Sequence, residues 1–362
     1  MTDTVSITAI ADVVFSEASP KQQNIAWELN GVSWAKPMSI PDYIKRESHL
    51  SQQELTKNGG TRSWILYPKG RPDEFIAGCE STRKTIFIRR PGEEVQEATG
   101  YAIASVFTNP AYRKQGMASH LLRCLQAETD KNSEASVLYS DIGRIFYSQL
   151  GWPAYPSQQG TLQLLTEGAF TSPNPARPLK IDDLPALCER DVAHLRERLA
   201  AAPKSNKTLL AFAPTFPQIA WHLAREEYMC GVIHRRSIDI RGAAVADGSA
   251  WIIWDHDWRD QKLKIVRIAS PGQISDDKRA MAVTILLQAA LAEASAWGLR
   301  KVLVWNPDDV VTLGIKGVSN AHEDVVKVVF DERLDGSIPS LRWRERKSTT
   351  TDWVANEYYA WC

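Results

Sequence analysis

The stretch 105-SVFTNPAYRKQGMASHLLRCLQ-126 decides the fold. It begins as an apolar, β-prone run and ends with Met117, Leu121, Leu122 and Leu125 at helical spacing. Between the two stand Asn109, Pro110, Arg113, Lys114 and Gly116. Pro110 cannot continue a strand ladder, which helps to end the run before it. A helix opening after Gly116 presents backbone N–H groups without intrahelical partners, at the positive end of its aligned peptide dipoles. Gly116 allows close backbone approach, small Ala118 and Ser119 keep the first turn open, and Arg113 and Lys114 add charge. Such a turn can cradle a pyrophosphate. Its spacing fits neither the P-loop nor the GxGxxG dinucleotide fingerprint, so neither ATP nor NAD is favoured.

Working outward, strands are expected at 62–68, 75–81, 84–90 and 100–107, a helix from about Met117 to Lys131, a strand at 135–141 and a short helix at 143–150. A Pro-rich connection from about 157 leads to a helix at 183–201. Strands at 229–242, 249–257 and 261–270, a helix at 276–297 and a strand at 300–306 then repeat the strands-helix-strand order. The class is α+β, with a central mixed sheet flanked by helices, and the repeat points to a degenerate internal duplication. The expected division is residues 1–165, a connecting region 166–203, and 204–362.

Forty-three basic residues balance 43 acidic ones, so no global field advertises nucleic acid or membrane as partner. The five cysteines are widely spaced and contain no CxxC, which suits reduced thiols better than disulfides or zinc; no metal is expected. Gln288 and Glu293 interrupt the apolar segment 280–297, an argument for a buried helix. The N-terminal residues do not read as a secretory signal, and a cytoplasmic location is the expectation.

The run Arg113-Lys114-Gln115-Gly116-Met117-Ala118 resembles the acetyl-CoA pyrophosphate loop of the GCN5-related N-acetyltransferases (GNAT), and 143-GRIFYSQLGW-152 resembles that superfamily's later Phe-Tyr-x-x-x-Gly-aromatic motif. The block 138-LYSDIGRIFYSQLGW-152, the degenerate second half and the ending 353-WVANEYYAWC-362 are similar to the fungal lysine N6-acetyltransferase family. The resemblance implies acetyl-CoA as co-substrate and direct attack by a small amine, L-lysine at N6, in a ternary complex. It implies a cofactor site at Val106, Phe107, Thr108, Arg113, Lys114, Gln115, Gly116, Met117, Ala118, Ser119 and Phe146, with backbone N–H groups at 106–108 meeting the acyl carbonyl. It further implies one working site, because Asp276 and Asp277 put negative charge at the corresponding turn of the second half.

Tyr147 matches the superfamily's general acid, although an aromatic there also packs the helix onto the sheet. The base is open between Asp141, Glu357 and the terminal carboxylate of Cys362; Asp141 alternatively binds an ammonium group or caps the helix near Gly143. An aromatic ending, Tyr358-Tyr359-Ala360-Trp361-Cys362, is expected to dock, either beside the acyl site or as a structural plug. The 13 tryptophans read mainly as core, Asp255, Asp257 and Asp260 as a solvated turn, and 342-RWRERK-347 as a strand with a charged face. A polyamine, another amino acid, a xenobiotic amine or a protein lysine as acceptor, and a non-catalytic acyl-CoA-binding protein, are the competing readings.

Overall fold

The computed structural model describes residues 10–166, 170–272, 274–344 and 350–361. The first half runs β1 (Val13–Glu17), α1 (Pro20–Trp34), α2 (Ile40–Ser51), β2 (Thr61–Pro68), β3 (Ala77–Arg89), β4 (Gln96–Thr108), α3 (Met117–Thr129), β5 (Ala135–Ser140), α4 (Ile145–Gln149) and β6 (Gln158–Leu164). It continues through β7 (Arg177–Leu179), α5 (Leu184–Ala201), β8 (Thr208–Phe212), α6 (Phe216–His234), β9 (Gly242–Ala244), β10 (Trp251–Asp257) and β11 (Lys262–Ala269). The last elements are α7 (Asp276–Ala296), β12 (Lys301–Trp305), α8 (Asp309–Ala321), β13 (Val326–Glu332), β14 (Ile338–Trp343) and β15 (Thr351–Trp353).

Two mixed sheets result, and the α+β class holds. The first has the order β1-β2-β3-β4-β5-β14, with β8 on the far part of β3 and β15 beside β8. The second has the order β13-β6-β12-β11-β10-β9-β7. In each, an antiparallel meander leads through a helix to a parallel neighbour: β4 to β5 through α3, and β11 to β12 through α7. The halves then exchange strands. β14 pairs with β5 in the first sheet, and β6 pairs with β12 and β13 in the second. The expected boundaries at 165 and 203 therefore do not coincide with the sheets.

Three local expectations are corrected. Strands 75–81 and 84–90 are one strand, because Thr82 and Lys84 stay in register with Ala102 and Gly100 of β4. The expected strand at 229–242 opens instead as the end of α6, to His234, and reaches β9 only at Gly242: Ile219, His222, Leu223, Glu226, Met229 and Cys230 are buried at three- and four-residue spacing, and the period of 3.6 wins. The region from 157 contains β6 and β7, whose register comes from distant partners.

Helix α7 is long and apolar enough to cross a bilayer by length and composition. Here its Val283, Leu286, Leu287, Ala290 and Leu291 are buried in the core under the second sheet. Gly314 lets α8 approach it closely, since a Cβ there would meet Val283 Cγ1 at 2.5 Å.

The same layer holds a buried charge network. His256 of β10 lies between Glu226 of α6 and Glu293 of α7, with its ring stacked on Trp258, and Arg241 also pairs with Glu226. Burial by itself lowers the imidazole pKa, but the two carboxylates outweigh it and raise it to about 9. A raised folded pKa gives stability that is complete below the unfolded value near 6.5 and is lost as pH rises through 9. The loss should be on the order of 3 kcal/mol. Urea unfolding at pH 6.5 and 9.5 checks this, and His256→Gln should flatten the difference.

Candidate active site

Between β4 and α3 the chain turns through a short 3-10 segment, Pro110–Tyr112, held by Asn109, whose Oδ1 accepts from Ala111 N at 3.1 Å and whose Nδ2 donates to the Phe75 carbonyl at 3.1 Å. Lys114 and Gly116 have φ of 61° and 77°. Gly116 serves this left-handed conformation rather than saving space, because an added Cβ would meet nothing within 4 Å. It is the N-cap of α3 and supplies no side-chain cap, so the first-turn donors of Met117, Ala118 and Ser119 have no capping side chain. Arg113 and Lys114 are exposed beside them, and the Arg113 guanidinium lies over Phe107. Gln115 bonds the Ala111 carbonyl. The arrangement fits a pyrophosphate.

β4 pairs with β5 only as far as Ile103↔Leu138 and then continues to Thr108. The edge of Ala104–Thr108 that would face β5 has no strand partner among the described residues, so the sheet opens into a V. The register against β3 shifts between Gly78 and Glu80, and Ser105 has φ of 54°. This bulge turns Ser105 Oγ onto Glu80 Oε2 at 2.8 Å. Glu80 also accepts from Trp27 Nε1 at 3.2 Å and Ser63 Oγ at 3.4 Å. Burial, then the neighbouring Glu47, raises the Glu80 pKa above the usual carboxylate range, while the three donors restrain the rise.

Glu80 lines a cavity of about 860 Å³ whose floor is Ile103, Ala104 and Ser105. Cys79, one residue earlier, is packed instead with Leu121, Leu122 and Tyr147. The V is thus approached from two faces, that of α3 and Tyr147 and that of Glu80. Tyr147 is 8% exposed, its ring edge-on to Phe146, and burial first, then Asp141 and Cys79, raises its phenol pKa. Asp141 lines the cavity, but does not cap α4: its Oδ1 accepts from Ser337 N at 2.8 Å, while Ser140 Oγ holds the turn.

The far wall of the cavity comes from the second half. Lys264 of β11 donates to the Tyr358 hydroxyl at 2.6 Å and pairs with Asp255 and Asp257, both at 3.3 Å. Of the expected solvated turn only Asp260 is exposed; Asp255 is 1% exposed and Asp257 is half-buried. Arg46 pairs with Glu47, and Arg225 of α6 lies over the Trp361 ring.

The C-terminal segment links this wall to the second V, where β11 outruns its pairing with β12 at Lys264↔Leu303. Arg267 there pairs with Glu357 and, at 2.7 Å twice, with Asp191. Asn306 Nδ2 donates to the Asn356 carbonyl at 2.6 Å, and Tyr359 is held by Gln218, His222 and the Phe212 carbonyl. Residues 355–357 line a second cavity of about 720 Å³, in the place that the first V holds in its own sheet, and Tyr358 and Trp361 line the first. Glu357 is therefore an anchor in the second V. Cys362 and residues 345–347 lie outside the described residues.

A family model described as "LYC1 GNAT-like C-terminal domain" matches residues 161–362, more than half of the chain. The chain belongs to the LYC1 GNAT-like C-terminal domain family. A Saccharomyces cerevisiae protein described as uncharacterized is similar to this family member at 24% identity over 97% of the chain and 98% of its own length. The fold is that of the GNAT superfamily. An N-myristoyltransferase from S. cerevisiae, solved with bound myristoyl-CoA, superposes with a TM-score of 0.55 at 10% identity, covering 94% of this chain and 81% of its own. A GCN5-related N-acetyltransferase from Kribbella flavida gives 0.51 at 15% identity, with 92% and 71% covered. A putative acetyltransferase from Pyrococcus horikoshii gives 0.52 at 9% identity, with 100% of both chains covered.

Four residues of this LYC1-like chain's cavity went unread in its sequence: Glu80, Ser105, Arg225 and Lys264. Glu80 did carry a signal, as the one acid in the apolar run 75-FIAGCES-81. Val106, Phe107 and Thr108 lie beyond the cavity floor toward the phosphate turn, with Phe107 packed against Phe75. Among the described residues no cluster of metal-ligating side chains is present.

Proposed function

We propose that this chain transfers the acyl group of an acyl-CoA, acetyl-CoA foremost, to the amine of a small acceptor, free L-lysine at N6. The observation that carries the reading is Glu80: a carboxylate with raised pKa, fixed by three donors, at the point where the sheet opens beside a phosphate-binding turn. Arg113, Lys114 and the N–H groups of Gln115 to Ser119 would hold the pyrophosphate, with Phe146 beside the pantetheine arm; bound there, acyl-CoA supplies the activated thioester.

Lysine's ε-amine has a pKa of about 10.4, so a neutral amine at pH 7 costs about 4 to 5 kcal/mol. Glu80 accepts that proton, directly or through water, as the amine enters from its face. Backbone N–H groups of β4 within Val106 to Thr108 that face the open edge would receive the developing oxyanion. Tyr147, on the opposite face and protonated at neutral pH, donates to the leaving thiolate. Asp141, fixed by Ser337 N, faces the acceptor's charged end.

The choice of a small acceptor is supported by the docked C-terminal segment, which places Tyr358 and Trp361 in the wall of the cavity. The choice of lysine rests on the resemblance of 138–152 and 353–362 to the lysine acetyltransferases. Steady-state CoA release with acetyl-CoA and an amine panel tests both. L-Lysine should be preferred, and Tyr147→Phe should lower kcat by about a hundredfold with little change in acetyl-CoA binding. Binding of acetyl-CoA with no CoA release from any amine would leave an acyl-CoA-binding protein instead.

A further inference from the structure

Most cations lining the 860 Å³ cavity are either neutralised or out in solvent. Arg46 pairs with Glu47, Lys264 with Asp255 and Asp257, and Lys262 with Asp257 and Asp260. Lys36 and Arg259 are exposed at the rim. Arg225 differs from all of these. It is half-buried on the inward face of α6, and among the described residues its guanidinium has no hydrogen bond and no ion pair. Its guanidinium lies over the Trp361 ring, 5.7 Å from the centroid, and the charges of Asp255, Asp257 and Glu47 act on it without a hydrogen bond to its donors. It also acts on Tyr43 together with Arg46, Glu47 and Glu80, so this guanidinium and the candidate proton acceptor share one neighbourhood.

A half-buried guanidinium costs desolvation energy, and its five donors form a planar fork that matches a carboxylate. Trp361 offers only a cation–π contact, which satisfies none of those donors. The same cavity holds Glu80, which the transfer reading assigns to the amine. A ligand that satisfies both ends has an amine at one end and an anion at the other.

We propose that Arg225 is the specificity-determining residue of this site, binding the carboxylate of an acceptor that carries both an amine and an anionic group. The assignment rests on the transfer reading for the place of the amine, and it separates amino acids from polyamines of the same length. L-Lysine and 1,5-diaminopentane make the comparison, since they share the amine and the methylene chain and differ in the carboxylate.

The test is calorimetric binding of both compounds to the full chain and to its Arg225→Ala and Arg225→Lys variants, with CoA release measured in parallel. In the unaltered chain L-lysine should bind at least about tenfold more tightly than the diamine. Arg225→Ala should weaken L-lysine between about tenfold and a hundredfold and leave the diamine within about twofold, while Arg225→Lys recovers part of the loss. Equal weakening of both compounds would mean that Arg225 only positions Trp361, and no weakening of either would remove it from the site; both outcomes overturn the proposal. The binding arm stands without turnover. Selective loss of L-lysine binding in a chain that releases no CoA would uphold Arg225 and defeat the transfer reading, whereas turnover with unchanged selectivity would do the reverse.

Discussion

Glu80→Gln is expected to lower kcat for amine acetylation by about 10² to 10⁴-fold while acetyl-CoA binding stays within about threefold. The substitution keeps size and the capacity to accept from Trp27 and Ser63, so the cavity wall should hold its shape. What it removes is a carboxylate able to take a proton from an ammonium group. The phosphate turn lies on the other face of the V, which is why cofactor affinity should be spared. The pH profile gives a second readout. The raised pKa of Glu80 places the acid limb of kcat/KM above the ordinary carboxylate range, and that limb should disappear in the variant. A kcat within threefold of the unaltered chain would assign the proton to Asp141, to the terminal carboxylate, or to water alone.

The second large effect is on stability. Arg267 is 3% exposed and neutralises two carboxylates, Asp191 from α5 and Glu357 from the C-terminal segment. Arg267→Ala removes the paired counter-charge of both, at a cost of about 3 to 5 kcal/mol in urea unfolding. The change also frees the anchor that presents Tyr358 and Trp361 to the first cavity, so kcat/KM should fall although the site lies in the other sheet. Arg267→Lys keeps the charge without the bidentate geometry and should lie between the two. A loss under about 1 kcal/mol, with activity intact, would show that the segment is held by Gln218, His222 and Lys264 instead.

The turn from Asn109 to Ser119, to which the proposed function gives the pyrophosphate, was legible as a turn because all its parts sit within a dozen residues. Strand, breaker, cations, glycine and helix follow one another, and each acts through local propensity or a local conformation. Tyr147 and the aromatic ending were legible for the same reason. The strand expected at 229–242 failed where apolar β-branched residues at the end of α6 outweighed a helical period that had begun at Ile219. β6 and most of β14 escaped because each completes the sheet of the other half, across roughly 160 to 200 residues of chain in the pairs Leu164↔Val326 and Ser140↔Ile338.

By itself, then, the sequence determined the α+β class, the doubled strands-helix-strand order, the turn from Arg113 to Ser119 and an ending too apolar to remain in water. Only the tertiary structure decided that Glu80, Arg225 and Trp361 meet in one cavity, that Ser105 turns onto Glu80, and that Glu357 anchors in the second V rather than serving the first. The physical reason is range. Helix periods and turn conformations are set by neighbours within about four residues. A cleft at a sheet opening is set by which strands fail to pair, and that is known only once every other strand has found its partner.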